Sequence, residues 1–175
     1  MNIIKTEIEG VFIIERTPFN DERGYFSRLF CKKELDSAGM CSDFVQSNMS
    51  VNLKKGTLRG LHAQRDGFEE NKLVSCSRGK VYDVCVDLRK DSETYGKYVG
   101  VELSEENGKM LYIPEGCAHG YMTLEDNSQV VYFVTQYYTP RSEVGYMYDD
   151  PFFAIDWPIK ENLILSEKDK AWDYI

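Results

Sequence analysis

The sequence predicts an all-β fold, a sandwich or barrel of many short strands. Three observations carry that expectation. Segments of β-type hydrophobic character recur about every 8–12 residues with turn signals between them. The 12 Tyr and 9 Phe suit pleated, half-buried strands. Nothing alternates strand with helix in the way a parallel α/β sheet requires.

Taken in order, Gly10 to Arg16 reads as a strand and Thr17 to Gly24 as a loop rich in turn formers. Tyr25 to Phe30 reads as a second strand. Lys32 to Ala38 is the first plausible helix, stopped by Gly39. Phe44 to Leu53 alternates, with Gln46, Asn48, Ser50 and Asn52 on one face and Val45, Ser47, Met49 and Val51 on the other. The plain reading of its polar face is solvation. Gly56 to Gln64, Lys72 to Ser77, Lys80 to Leu88, Lys97 to Leu103, Lys109 to Ile113, Ala118 to Leu124 and Gln129 to Tyr138 follow as strands. In Lys80 to Leu88, Tyr82, Val84, Val86 and Leu88 share one face, and Asp83, Cys85 and Asp87 the other. Tyr146 to Tyr148 reads as a short strand and Ser166 to Lys170 as a turn of helix. No repeat or linker divides the chain, so residues 1–175 are expected to form one domain with a real core.

Charge and composition exclude whole classes. With 21 basic against 29 acidic residues the net charge is −8, which argues against nucleic acid as a partner. An acidic chain can still hold a phosphate, given a local cluster of Arg and Lys. The first ten residues lack the apolar core of a signal peptide. No apolar run approaches the roughly 18–20 residues that span a bilayer, so no membrane association is expected and the location expected is cytoplasmic. The five cysteines are scattered with no C-x-x-C pair, which reads as reduced and structural. Cys117, two residues before His119, is the sharper option for a catalytic thiol.

The chemistry centres on the chain's only two histidines, His62 and His119. Gly56, His62 and Gln64, then Gly108, Pro114, Gly116 and His119, resemble the two motifs of the cupin superfamily, small barrels of the jelly-roll type. Metal-dependent cupins carry a second His where this chain has Gln64. A neutral amide is a poor ligand for a divalent transition metal, so no metal is expected. Glu69 stands at the spacing of the motif's acidic ligand. An imidazole without a metal titrates near pH ~6.5 and is free to act as a base. Arg59 and Lys72 lie close in sequence. Strict alternation puts Arg59 and His62 on opposite faces, so a shared pocket requires a bulge, with Gly60 the natural place. Positive charge on a buried strand calls for an anionic partner, such as a phosphate or an enolate.

Five stretches together resemble the dTDP-4-dehydrorhamnose 3,5-epimerase family. They are Leu58 to Gln64, Lys72 to Val74, Asp83 to Arg89, Ile113 to Gly120 and Leu165 to Asp169. The resemblance runs from about Gly10 to Asp169 and implies a cupin-type jelly-roll barrel with a few short helices. It implies a cofactor-free epimerase of a nucleotide-diphosphate 4-keto-6-deoxy sugar, working as a homodimer. His62 matches the family's base and Asp169 the carboxylate that orients it. Tyr132 matches the acid on the opposite face of the sugar, and Lys72 the cation near the keto oxygen. Arg59 and His119 match groups around the diphosphate and sugar. Arg23, Phe26, Gln46, Asn48 and Tyr138 match substrate contacts on the nucleotide side, some given by the second subunit. The chain departs from the family pattern at Arg28, Ala63 and Phe133. Two other readings stand beside this one: a sugar-nucleotide ketoisomerase on a similar barrel, and a cupin that only binds carbohydrate. A metal-dependent oxygenase is a further option, which a stoichiometric ion would support.

Overall fold

Alternation decides the architecture, because each strand with two different faces must be covered twice. The computed structural model describes all of residues 1–175. In chain order the strands are β1 (Asn2–Lys5), β2 (Phe12–Glu15), β3 (Phe19–Asp21), β4 (Gly24–Phe26), β5 (Gln46–Asn52), β6 (Leu58–Gln64) and β7 (Lys72–Arg78). They continue as β8 (Lys80–Asp87), β9 (Tyr98–Ser104), β10 (Lys109–Ile113), β11 (Cys117–Thr123), β12 (Ser128–Val134) and β13 (Glu143–Gly145), with one helix, α1 (Lys32–Ser37), before β5. A six-stranded sheet runs β1-β2-β10-β7-β12-β5 and faces a five-stranded sheet, β13-β6-β11-β8-β9. All pairs within these sheets are antiparallel, as in a jelly roll. No helix is long and apolar enough to cross a membrane.

The core has three layers. Val74, Leu111 and Val130 of one sheet meet Val81, Cys85 and Leu103 of the other in the inner layer. The outer face of the five-stranded sheet presents Leu58, Leu61, Val84, Val86 and Met122, which Phe153 and Trp157 cover. β8 obeys its alternation: Tyr82, Val84, Val86 and Leu88 join this outer layer, while Cys85 points inward. The outer face of the six-stranded sheet is covered by Leu35 of α1 and by Met40. Six residues are too few for an isolated helix. What holds α1 is Leu35, fully buried and worth about 1.5–3 kcal/mol.

Several elements differ from expectation. The segment read as the loop Thr17 to Gly24 contains β3. The strand expected over Tyr25 to Phe30 stops at Phe26, where β4 pairs with β3 in a hairpin whose residues are all exposed. No other part of the chain covers Phe19, Tyr25 or Phe26, so the pair stands alone. The last strand is Glu143–Gly145 rather than Tyr146 to Tyr148, because β6 offers its free edge to those three residues. Tyr146 and Tyr148 pack into the outer layer instead. Ser166 to Lys170 makes a single turn, with the Lys170 N–H bonded to the Ser166 carbonyl, and goes no further.

β5 overturns the plain reading of its two faces. It is the last strand of its sheet, yet Gln46, Asn48, Ser50 and Asn52 turn inward. Val45, Met49 and Val51 are exposed, Met49 at 63%. Polar residues therefore line the space between the sheets at this end.

The expected bulge is present. His119 pairs with His62 and Tyr121 with Arg59, so three steps along β6 match two along β11. Gly60 sits at φ +122, and a Cβ there would stand 2.5 Å from the Gly120 Cα. Only glycine fits both the torsion and the approach.

Candidate active site

The bulge brings Arg59 and His62 to the same side of β6, into a cavity of about 310 Å³ between the sheets. His119 and Tyr121 enter it from β11. Ser50, Lys72 and Tyr132 enter from β5, β7 and β12 of the facing sheet. Ser166, Lys168 and Asp169 close it from the segment that follows β13. This segment is stitched to β6 by the Leu58 N–H bonded to the Ile164 carbonyl at 2.9 Å.

His62 and Asp169 form the tightest pair in the cavity, with Nε2 2.6 Å from Oδ1. The second carboxylate oxygen accepts the Ser166 hydroxyl at 2.8 Å. Burial pushes the Asp169 carboxyl up, but the bonds from His62 and Ser166 outweigh it and hold the group below the usual carboxylate range. A carboxylate that stays charged favours the neutral ring with its proton on Nε2, which leaves Nδ1 as the lone-pair nitrogen. Nδ1 makes no hydrogen bond within the chain. His119 repeats the pairing deeper in, with Nε2 2.9 Å from Oδ1 of the fully buried Asp83.

Cations gather around this imidazole. The Arg59 Nε donates to the Asn52 Oδ1 at 2.8 Å. The Lys72 Nζ lies 3.1 Å from the Glu70 Oε1, with both side chains nearly buried. Opposite His62, the Tyr132 phenol makes no hydrogen bond within the chain. Burial raises its pKa, and nearby Tyr121 and Glu70 add to the rise. It therefore stays protonated, as an acid must be before it donates.

A second cavity of about 410 Å³ shares His62, Lys72 and Tyr132 and extends past Gln46, Asn48 and Tyr138. At its edge Glu143 joins two elements. Its Oε2 accepts the Tyr138 hydroxyl at 2.7 Å and the Lys168 ammonium at 2.5 Å. The Gln46 amide oxygen accepts the Tyr138 N–H at 2.7 Å.

The residues expected from the sequence are thus brought together, with two exceptions. Arg23 is paired with Asp21 on the β3–β4 hairpin, its side chain 84% exposed, and Phe26 on the same hairpin is 72% exposed. Neither lines either of these two cavities. Reading by residue missed Glu143, for which the sequence holds no signal, and Ser166 and Lys168, which lie inside a recognised stretch. Asp83 serves His119, whereas Asp87 accepts bonds from Arg89, Ser92 and Thr94 and organises the turn after β8. Gln64 is no ligand in waiting: its amide donates to the Phe68 and Tyr137 carbonyls and accepts the Thr139 N–H. Glu69 lines neither cavity, and Cys117 is buried in the inner layer. No three His, Cys, Asp or Glu side chains gather into a group able to hold a metal.

An imidazole backed by a carboxylate, a protonated phenol from the facing sheet and cations between them make an acid–base site on a jelly roll. Comparison with known proteins narrows that class. Residues 5–175 match the family model of dTDP-4-dehydrorhamnose 3,5-epimerase. A relative of that name from Methanothermobacter thermautotrophicus is 46% identical over 171 residues, covering 97% of this chain and 91% of its own. The crystal structure of dTDP-4-dehydrorhamnose 3,5-epimerase from Elizabethkingia anophelis aligns with a TM-score of 0.95 at 43% identity, covering 99% of this chain and 96% of its own. That of the Legionella pneumophila dTDP-6-deoxy-D-glucose-3,5-epimerase, in complex with dTDP-4-keto-L-rhamnose, aligns at 0.94 and 45% identity, covering 99% and 92%. The chain belongs to the dTDP-4-dehydrorhamnose 3,5-epimerase family and is an enzyme of the isomerase class, built on a cupin jelly roll.

Proposed function

We propose that the protein inverts C3 and C5 of a dTDP-linked 4-keto-6-deoxy sugar by moving protons between His62 and Tyr132. The observation that carries this reading is the placement of both residues on the walls of the same two cavities, with Lys72 beside them. The ketone at C4 acidifies the hydrogens on C3 and C5. The His62 Nδ1 removes one of them, and Asp169 stabilises the imidazolium that results. Negative charge moves to the keto oxygen, where the Lys72 ammonium lowers the barrier electrostatically. Tyr132 returns a proton from the other face, which inverts the carbon. Every step is proton transfer and calls for no cofactor.

The diphosphate lies against Arg59, His119 and Lys168, and the nucleotide extends into the second cavity past Gln46, Asn48 and Tyr138. The outward apolar face of β5 and the bare β3–β4 hairpin support a homodimer. A second copy covers both and brings Arg23 and Phe26 of the partner subunit to the nucleotide. The whole of residues 1–175 works as one unit, because Asp169 and β6 meet only in the folded chain.

The test is incubation with the 4-keto sugar nucleotide in heavy water, followed by NMR. Deuterium at C3 and C5 with the ketone still at C4 is the expected result. A ketone moved to C3 would indicate a ketoisomerase. Absence of deuterium at every carbon would leave only a binding protein.

A further inference from the structure

We infer that Trp172 is a positioning residue for His62, admitted to its place by the missing side chain at Gly145. The inference rests on the assignment of His62 as base and adds a residue to that machinery. The Trp172 indole meets the His62 ring nearly edge to face, with centroids 6.1 Å apart and planes at 68°. Aromatic pairs favour that geometry. Gly145 is the residue of β13 that pairs with His62 across the ladder. A Cβ on Gly145 would stand 2.0 Å from the indole Cε2 and 2.2 Å from Cδ2. The ring therefore lies flat on bare backbone one strand away from the imidazole, a place no other residue at 145 would leave open.

The indole is held there by shape rather than by its polar atom. Its N–H is buried and makes no full hydrogen bond. It lies near enough to Asp169 to add, after burial, His62 and Ser166, to what sets that carboxyl. The Lys168 ammonium stands over the ring at 5.6 Å, and Lys168 is itself tied to Glu143 of β13. A backbone bond from the Met147 N–H to the Asp173 carbonyl, 3.3 Å, pins the segment just beyond. Asp169 bonds one nitrogen of His62, but a ring free to swing would leave that bond part of the time and lose its single tautomer. Trp172 blocks the swing and keeps Nδ1 aimed into the cavity.

Two histidines make the test direct. Nitrogen-15 NMR of the neutral rings reads each tautomer separately. In the unaltered protein His62 shows one tautomer, with its proton on Nε2. In Trp172→Ala the two His62 nitrogen signals move toward each other while those of His119 stay in place. Turnover falls about tenfold and KM stays within about twofold, as expected when a reacting group is displaced by a fraction of an ångström. Trp172→Phe, which keeps an aromatic edge, recovers most of both. Gly145→Ala, which keeps the indole but moves it, reproduces the Trp172→Ala spectrum and serves where that variant folds poorly. Unchanged His62 signals in Trp172→Ala, or equal movement of both histidines, overturn the inference. If the unaltered protein exchanges no deuterium into sugar, the proposed function falls, and the nitrogen spectra still decide the role of Trp172.

Discussion

The two histidine–aspartate pairs sit side by side, paired across β6 and β11, and share one pairing geometry but differ in exposure and in what holds the carboxylate. The His62 side chain is 30% exposed and faces both cavities, whereas that of His119 is 9% exposed. Asp169 has both oxygens engaged, one by His62 and one by Ser166. Asp83 is fully buried, and its second oxygen has no partner. The carboxylate of the first pair arrives from 107 residues away, and that of the second from the adjacent strand. The same two residue types thus make one pair open to the cavities, which the proposed function uses as its base, and one pair that is buried.

This contrast can be broken by substitution. His62→Ala should lower kcat about 10³-fold, the loss typical of a missing general base. His119→Ala should act mainly on KM. Similar kcat losses in the two variants would erase the distinction. Asp169→Asn should lower kcat about 10²-fold with the fold intact, because an amide no longer enforces the ring's tautomer. Asp83→Asn should spare kcat and lower the melting temperature, a difference that paired kinetics and calorimetry would read.

Smaller effects depend on pH. Because burial raises the Tyr132 pKa, the phenol keeps its proton through the ordinary tyrosine range. Exchange should therefore not decline before about pH 10 on account of this group. A limb at lower pH that vanishes in Tyr132→Phe would contradict the assignment. The smallest effect is on acid stability. The Asp169 pKa is lowered from 3.8 on folding, so its contribution is complete above that value and is lost as pH falls through the folded one. Below about pH 4 unfolding curves of the unaltered protein should weaken more steeply than those of Asp169→Asn.

Most of this was legible in the sequence where the signal was local. Alternation in Lys80 to Leu88 assigned both faces of β8 correctly, because one side chain in two must be buried on each layer. The clash between Arg59 and His62 under strict alternation demanded a bulge, and Gly60 was the residue able to form it. The two faces of β5 stayed undecided from alternation alone, since no local pattern tells whether a polar row meets water or a polar cavity; the resemblance pointed Gln46 and Asn48 toward the substrate, and they do turn inward. Glu143 and Trp172 were invisible for a related reason. Each matters through a partner brought close by the fold, Lys168 in one case and His62 in the other. The hairpin residues Arg23 and Phe26 line neither of the two cavities of their own chain, and only the proposed second copy gives them a site.

The long reach of Asp169 has a consequence for how the enzyme comes into being. A nascent chain with every strand already outside the ribosome has its barrel framework but no carboxylate behind the imidazole. On the proposed function, the imidazole gains its full strength as a base only once the segment that carries Asp169 has been made and has docked on β6.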